Sequence, residues 1–229
     1  MQHETEPGPE PAGGTEYAAY LLIDDLLELQ RPITEGAHDE LLFIIVHQAY
    51  ELWFKLMLHE LGRVDAELRA DRPGAALASL KRVVAIDRLL LSQLDVLETM
   101  GPEGFLEFRS PLAPASGFQS RQFREIESAT AGLWPAFCAG SGMGEDDLDA
   151  LAGLYLDHAG PVRALRHQVC ELLVDHDETV QRWRFHHTLM AAREIGSRPG
   201  TGGSRGVEYL RGTVDRRFFP QLWEVRVRL

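Results

Sequence analysis

The sequence predicts an all-α fold, a bundle of long helices. Three observations predict it. Apolar residues recur at the three-and-four spacing of helices over long stretches. No run alternates apolar and polar residues for long enough to make a useful strand. Clusters of proline and glycine punctuate the helical stretches, as turns do. Residues 1–14 are acidic and rich in Pro and Gly, and read as a flexible N-terminal arm. Residues 15–229 read as one domain, because no linker separates two cores.

The elements follow in order. Glu16 to Gln30 predict a helix with a broad apolar face of Leu21, Leu22, Leu26, Leu27 and Leu29, ended by Pro32. Asp39 is placed to cap the next helix, which runs to about Arg69. Asp71-Arg72-Pro73-Gly74 is a turn. The third helix covers about 75–98, with apolar positions 77, 80, 83, 84, 90, 91, 94 and 97. Met100 to Gly117 predict mostly loop, with a short helix near 103–109. A helix covers Phe118 to about Trp134. Gly140 to Gly144 turn the chain into an acidic helix start at Glu145-Asp146-Asp147. After Gly160-Pro161 a long helix runs from about Val162 to Gly196. Residues 197–206 are a glycine-rich loop, followed by a short helix over 207–213.

Composition narrows the function. Of 229 residues, 35 are acidic and 23 basic, a formal charge of −12. Such a field repels nucleic acid and anionic membranes, so neither is expected as a partner. Only Lys55 and Lys81 are lysines, so the basic residues are almost all arginine, the side chain that forks onto carboxylates. Cys138 and Cys170 have no metal spacing and fit a reducing compartment. The first residues lack the basic start and apolar stretch of a secretory signal, and the charge-free run Leu41 to Tyr50 is too short to span a bilayer. A cytoplasmic protein is expected.

Four stretches carry residues suited to chemistry. In DELLFIIVHQAYELWFKLMLHEL, His47 shares a helix face with Phe43, Tyr50 and Phe54. It is either a hydrogen-bonded core histidine or the wall of an apolar pocket. In Trp183-Arg184-Phe185-His186-His187, adjacent histidines point about 100° apart, so only one can face a given site. Zinc spacing of the HExxH kind is absent, whereas one buried histidine on a long helix suits an axial haem ligand. The loop PGTGGSRG lacks the Lys-Ser/Thr pair of a phosphate loop and has no preceding strand. It reads as a lid or as a plain exposed turn. In FLEFRSPLAPASGFQSRQFREIE, Arg109 follows two phenylalanines. It either forks onto a small-molecule carboxylate or pairs with Glu103 or Glu107.

Taken together and in this order, the stretches resemble the tryptophan 2,3-dioxygenase family. The resemblance rests on DELLFIIVHQAYELWFKL, FRSPLAPASGFQSRQFREIE, RWRFHHTLMAAREIG with GTGGSRGVEYL, and FFPQLWEVR. It implies a helical haem protein that cleaves the indole C2–C3 bond of L-tryptophan with O2, giving N-formylkynurenine. His187 matches the proximal ligand of a haem b iron, and His47 the distal histidine. Phe43 and Leu112 match the indole pocket. Arg109 matches the carboxylate clamp, and Thr201 the loop residue that meets the substrate ammonium or carboxylate. Ser116 and Gly117 match positions beside the haem. Tyr17 and Tyr20 match tyrosines that reach the site from a neighbouring subunit, since the family forms homotetramers.

Two departures from the resemblance stand out. Between Glu127 and Trp183 the chain is shorter than its relatives, and Arg205 adds a charge to the loop. The same scaffold serves monooxygenases that insert one oxygen atom into tryptophan or a methylated tryptophan. A non-catalytic helical binding module is the alternative of another class. Retention of His47, Arg109, His187 and Thr201 together argues against it.

Overall fold

Proline sets where several helices begin. Pro73, Pro102, Pro161 and Pro220 each lie in the first turn of a helix. There the missing N–H costs nothing and the fixed φ is already helical. The computed structural model describes residues 16–157 and 159–229, and among these it has ten α-helices and no strand. They are α1 (Tyr17–Leu21), α2 (Ile23–Leu27), α3 (Asp39–Arg69), α4 (Pro73–Leu97), α5 (Pro102–Leu112), α6 (Arg121–Ser141), α7 (Leu148–Leu156), α8 (Pro161–Ile195), α9 (Val207–Arg211) and α10 (Pro220–Glu224). Short 3-10 turns occupy Gly117–Gln119 and Val225–Arg228. The arm expected over residues 1–14 lies outside the described residues.

Four long helices form the bundle. α3 packs along α6 and α4, and α4 packs along α8. Their facing positions are Leu61, Val64, Leu80, Val83, Leu133, Val169 and Leu173, all without solvent exposure. Each such side chain stabilises the fold by about 1.5–3 kcal/mol through burial. The side between α6 and α8 is wider, and side chains fill it. The C-terminal segment closes that region with Phe219, Leu222 and Val225, which are also fully buried.

A column of polar groups on α8 runs through this filled side. The Nδ1 of the buried His176 lies 2.6 Å from Asp87 Oδ2 on α4, and its Nε2 lies 3.1 Å from Thr130 Oγ1 on α6. Asp177 accepts from the backbone N–H groups of Phe218 and Phe219 and from Trp223 Nε1. Arg184 donates to Glu127 on α6 at 2.8 Å and to the carbonyl of Arg216 at 2.9 Å. Buried polar groups are tolerated only when paired in this way.

Local expectations needed four corrections. The helix predicted over 16–30 is broken at Leu22, whose φ of 52° is left-handed. α1 and α2 touch each other and leave Leu21, Leu22, Leu26, Leu27 and Leu29 exposed, so no packing holds a continuous helix there. Asp39 is the first residue of α3 and makes no cap hydrogen bond. Its charge complements the helix dipole instead. Glu40 is the group that satisfies backbone N–H donors, those of Ile33 and Thr34. The segment 100–117 is mostly helix, because α5 extends to Leu112 with Pro111 inside its last turn. Finally, α3 as a whole is long and apolar enough to cross a membrane by length and composition, although its charge-free run is short.

Burial alone opposes a charged His176, but the Asp87 carboxylate outweighs it and raises the pKa above 6.5. A raised folded value means that the pair's charge contributes fully below about 6.5 and less as pH rises through the folded value. His176→Leu should therefore destabilise the protein by about 3–5 kcal/mol, since it leaves Asp87 buried and unpaired. Urea unfolding at pH 6 checks this, and the gap from wild type should narrow at higher pH.

Candidate functional site

His47 and Phe43 lie one turn apart on α3, and their rings are 4.0 Å apart. Phe43 also meets Phe108 at 5.3 Å and Phe105 at 5.9 Å, both on α5. Three phenylalanine rings therefore cluster where α3 meets α5, with His47 beside them. His47 is exposed to solvent, yet burial of its ring lowers its pKa, with only partial compensation from the Phe43 carbonyl and Glu51. Its Nδ1 lies 2.7 Å from the carbonyl oxygen of Phe43. A carbonyl only accepts, so Nδ1 carries the proton and Nε2 keeps its lone pair.

The two adjacent histidines of α8 are separated by the structure. His186 turns toward α4, 3.2 Å from Glu98 and 3.9 Å from Asp95. It belongs to an ion-pair cluster that also takes in Arg193. His187 turns the other way, toward His47 of α3. Its pKa falls to about 4, through burial first and then the proximity of His47 and His186. His47 and His187 are thus near enough to oppose each other's charge, and both stay neutral. Among the described residues no group of the protein hydrogen-bonds the His187 ring. It stacks instead on Trp183, with centroids 5.0 Å apart and planes within 5°.

The glycine-rich loop 197–206 is docked over the C-terminal end of α5. Arg109 Nη2 donates to the carbonyl of Pro199 at 2.6 Å, and Thr201 Oγ1 donates to the carbonyl of Ala115 at 2.6 Å. At Gly202 a Cβ would lie 2.6 Å from Ser116 Cβ, so only glycine permits this approach. Arg109 Nε is buried and has no partner. A guanidinium with one arm tethered and one donor unsatisfied is suited to a carboxylate. Arg205 points elsewhere and pairs with Glu208 at 3.2 Å.

Among the sequence-predicted residues, Phe43 and His47 lie together on α3, and His187 comes near His47. Arg109, Ser116 and Thr201 meet at the docked loop, through Pro199, Gly202 and Ala115. Leu112 packs against the apolar core at the end of α5. Gly117 opens the exposed 3-10 turn and has no neighbour near its Cα hydrogens. Tyr17 and Tyr20 are 75% and 73% exposed, and the single chain does not bring them to these residues. Sequence reading missed the packing of Phe108 on Phe43, the Arg109–Pro199 tether and the stacking of Trp183 on His187. The spacing of four between Trp183 and His187 was the available clue to the last.

The sequence model described as tryptophan 2,3-dioxygenase matches residues 2–132 and 151–229. This chain belongs to the tryptophan 2,3-dioxygenase family. It is 41% identical over 266 residues to a tryptophan 2,3-dioxygenase of Anaeromyxobacter sp. (strain K), covering 97% of this chain and 98% of the relative. It is 39% identical over 255 residues to that of Herpetosiphon aurantiacus, covering 93% and 98%. It is 37% identical over 276 residues to that of Myxococcus xanthus, covering 100% and 95%. Alignments longer than the chain itself mean that these relatives hold residues with no counterpart here. The family match is interrupted after residue 132 and resumes at 151, inside the region expected to be shortened.

The family is haem-dependent, and the donor set here suits that group. An axial ligand must offer an unprotonated nitrogen. His187 does so, because burial and its histidine neighbours disfavour its protonated form. The apolar Phe43, Phe105 and Phe108 suit the body of a macrocycle or an indole. The residues present therefore fit a haem.

The lowered pKa of His187 is directly measurable. In the haem-free protein its ring should stay neutral above about pH 4, as followed by the pH dependence of its imidazole NMR signals. A ring already protonated at pH 6 is incompatible with this burial. Its folded value lies below 6.5, so it adds stability that is present above 6.5 and lost as pH falls toward 4.

Proposed function

We propose that this chain binds haem b through His187 and cleaves the indole C2–C3 bond of L-tryptophan with O2, giving N-formylkynurenine. The observation that carries the proposal is the pair of neutral histidines, His47 and His187, together with Arg109, whose Nε is buried and unpartnered. When bound, the haem supplies the iron that takes up and activates oxygen.

The protein's own residues then have separable tasks. His187 holds the iron from one side. His47 keeps its Nε2 lone pair for the indole N–H, which orients the ring without removing the proton. Phe43, Phe105, Phe108 and Leu112 receive the apolar body and exclude water. Arg109 offers its free Nε–H to the carboxylate. Thr201 has its hydroxyl hydrogen committed to the Ala115 carbonyl, so its oxygen remains an acceptor and suits the ammonium. Ser116 would border the haem beneath the loop, with Gly117 next to it in the chain.

Tyr17 and Tyr20 complete the site from a neighbouring subunit on this reading. Support comes from the apolar leucines of the α1–α2 segment, which are exposed among the described residues. Leu89, Val96, Phe185 and Leu189 are also exposed on α4 and α8 and suit further subunit contacts. A homotetramer in the cytoplasm is the proposed form.

Aerobic turnover of L-tryptophan by the reduced, haem-loaded protein tests the reaction. With labelled O2 the product should gain two labelled atoms. A product with one labelled atom would mark the monooxygenase alternative, and a protein that takes up no haem would mark a binding module. Arg109→Ala should weaken tryptophan binding by about 2–5 kcal/mol, since the carboxylate loses its cation in a buried place. Equilibrium titration of the ferrous protein with tryptophan measures it, and unchanged affinity removes Arg109 from the site.

A further inference from the structure

Histidines that ligate metals almost always donate their second ring nitrogen to a carboxylate, a backbone carbonyl or water, which fixes the ring's orientation. His187 departs from that pattern in its protein contacts. Among the described residues no carboxylate or backbone carbonyl pairs with its ring, and the nearby Glu98 is taken by His186. Its orienting contact is a face. The Trp183 indole lies one turn earlier on α8, parallel to the imidazole within 5° at 5.0 Å.

Trp183 is itself pinned. Its Nε1–H donates to Tyr50 Oη on α3 at 3.0 Å. The Tyr50 hydroxyl in turn donates to the carbonyl of Leu90 on α4 at 2.5 Å. Burial raises the Tyr50 pKa to about 12, despite the Trp183 hydrogen bond, so it keeps its proton. Phe123 of α6 closes the far side of the indole at 5.7 Å. The plane of Trp183 is therefore set by three helices, and α8 carries that plane to His187.

We propose that Trp183 is the positioning residue for His187, and that the Tyr50 hydroxyl is the peg that holds Trp183 in plane. A parallel slab on one face of the imidazole restricts rotation about its χ angles. It does so without adding negative charge to the ring, as a carboxylate partner would. The inference rests on His187 being the iron ligand.

The test uses the haem-loaded protein and two readouts: the iron–imidazole stretching band of the ferrous form by resonance Raman, and haem release to excess apomyoglobin. Trp183→Leu should shift or broaden the band and speed release by about tenfold or more. Trp183→Phe keeps an aromatic face and should recover part of the loss. Tyr50→Phe removes one oxygen and should move the band in the same direction with a smaller change in release. Should Trp183→Leu not fold, Tyr50→Phe and Trp183→Phe decide alone. An unchanged band and release rate in these variants overturns the proposal, even if their melting temperatures fall, because Trp183 is then only a packing residue. His187→Ala separates the two readings. Loss of the band in that variant supports the ligand assignment. Its persistence removes the assignment and the positioning role together.

Discussion

The 35-residue helix α8 brings His176, Asp177 and Arg184 into the interior, and each of them has to be paired there. That requirement fixes much of the remaining structure. His176 needs Asp87 on α4 and Thr130 on α6, which sets the register of three helices. Asp177 needs the N–H groups of Phe218 and Phe219, which draws the C-terminal segment onto the bundle. Arg184 needs Glu127 and the Arg216 carbonyl, which ties the same segment to α6. His187 lies one turn beyond Arg184. Its position relative to α3 is thus inherited from that polar column. A bundle held by apolar contacts alone could slide by a fraction of a turn at small expense, whereas directional bonds to buried charges do not allow it.

The long helices were legible in the sequence because their apolar spacing is repeated over many turns, and the Gly160-Pro161 pair marks the start of α8. What escaped the sequence was decided by tertiary contact. Leu22 breaks a helix that its composition favours, since nothing packs on the apolar face of residues 16–30. α5 runs through Pro111 because Phe105 and Phe108 are buried against Phe43, and that packing outweighs the local proline and glycine content. Asp39 has the chemistry of a cap, but Glu40 is the carboxylate that meets the chain doubling back at Ile33 and Thr34.

The site was legible to a different degree. The residue types at 43, 47, 109, 187 and 201 were visible, and their long flanking matches carried the family. Which histidine of the 186–187 pair faces His47 was open on helix geometry alone. The structure answers it through Glu98 and Asp95, which claim His186 for the α4 side. The unsatisfied Nε of Arg109 was not legible at all, because it depends on a backbone carbonyl at Pro199, 90 residues away. Side-chain identity announces a possible partner, whereas an unmet hydrogen bond is a property of the assembled fold.

The tether between Arg109 and Pro199 has a bearing on the end of the catalytic cycle. On the reaction proposed here, opening the indole ring leaves the amino-acid carboxylate and ammonium unchanged. The guanidinium that holds the loop therefore meets the same anion before and after chemistry. It cannot tell product from reactant. Release of N-formylkynurenine would then be governed by how readily the two hydrogen bonds that dock the loop, Arg109–Pro199 and Thr201–Ala115, break, and not by the clamp itself.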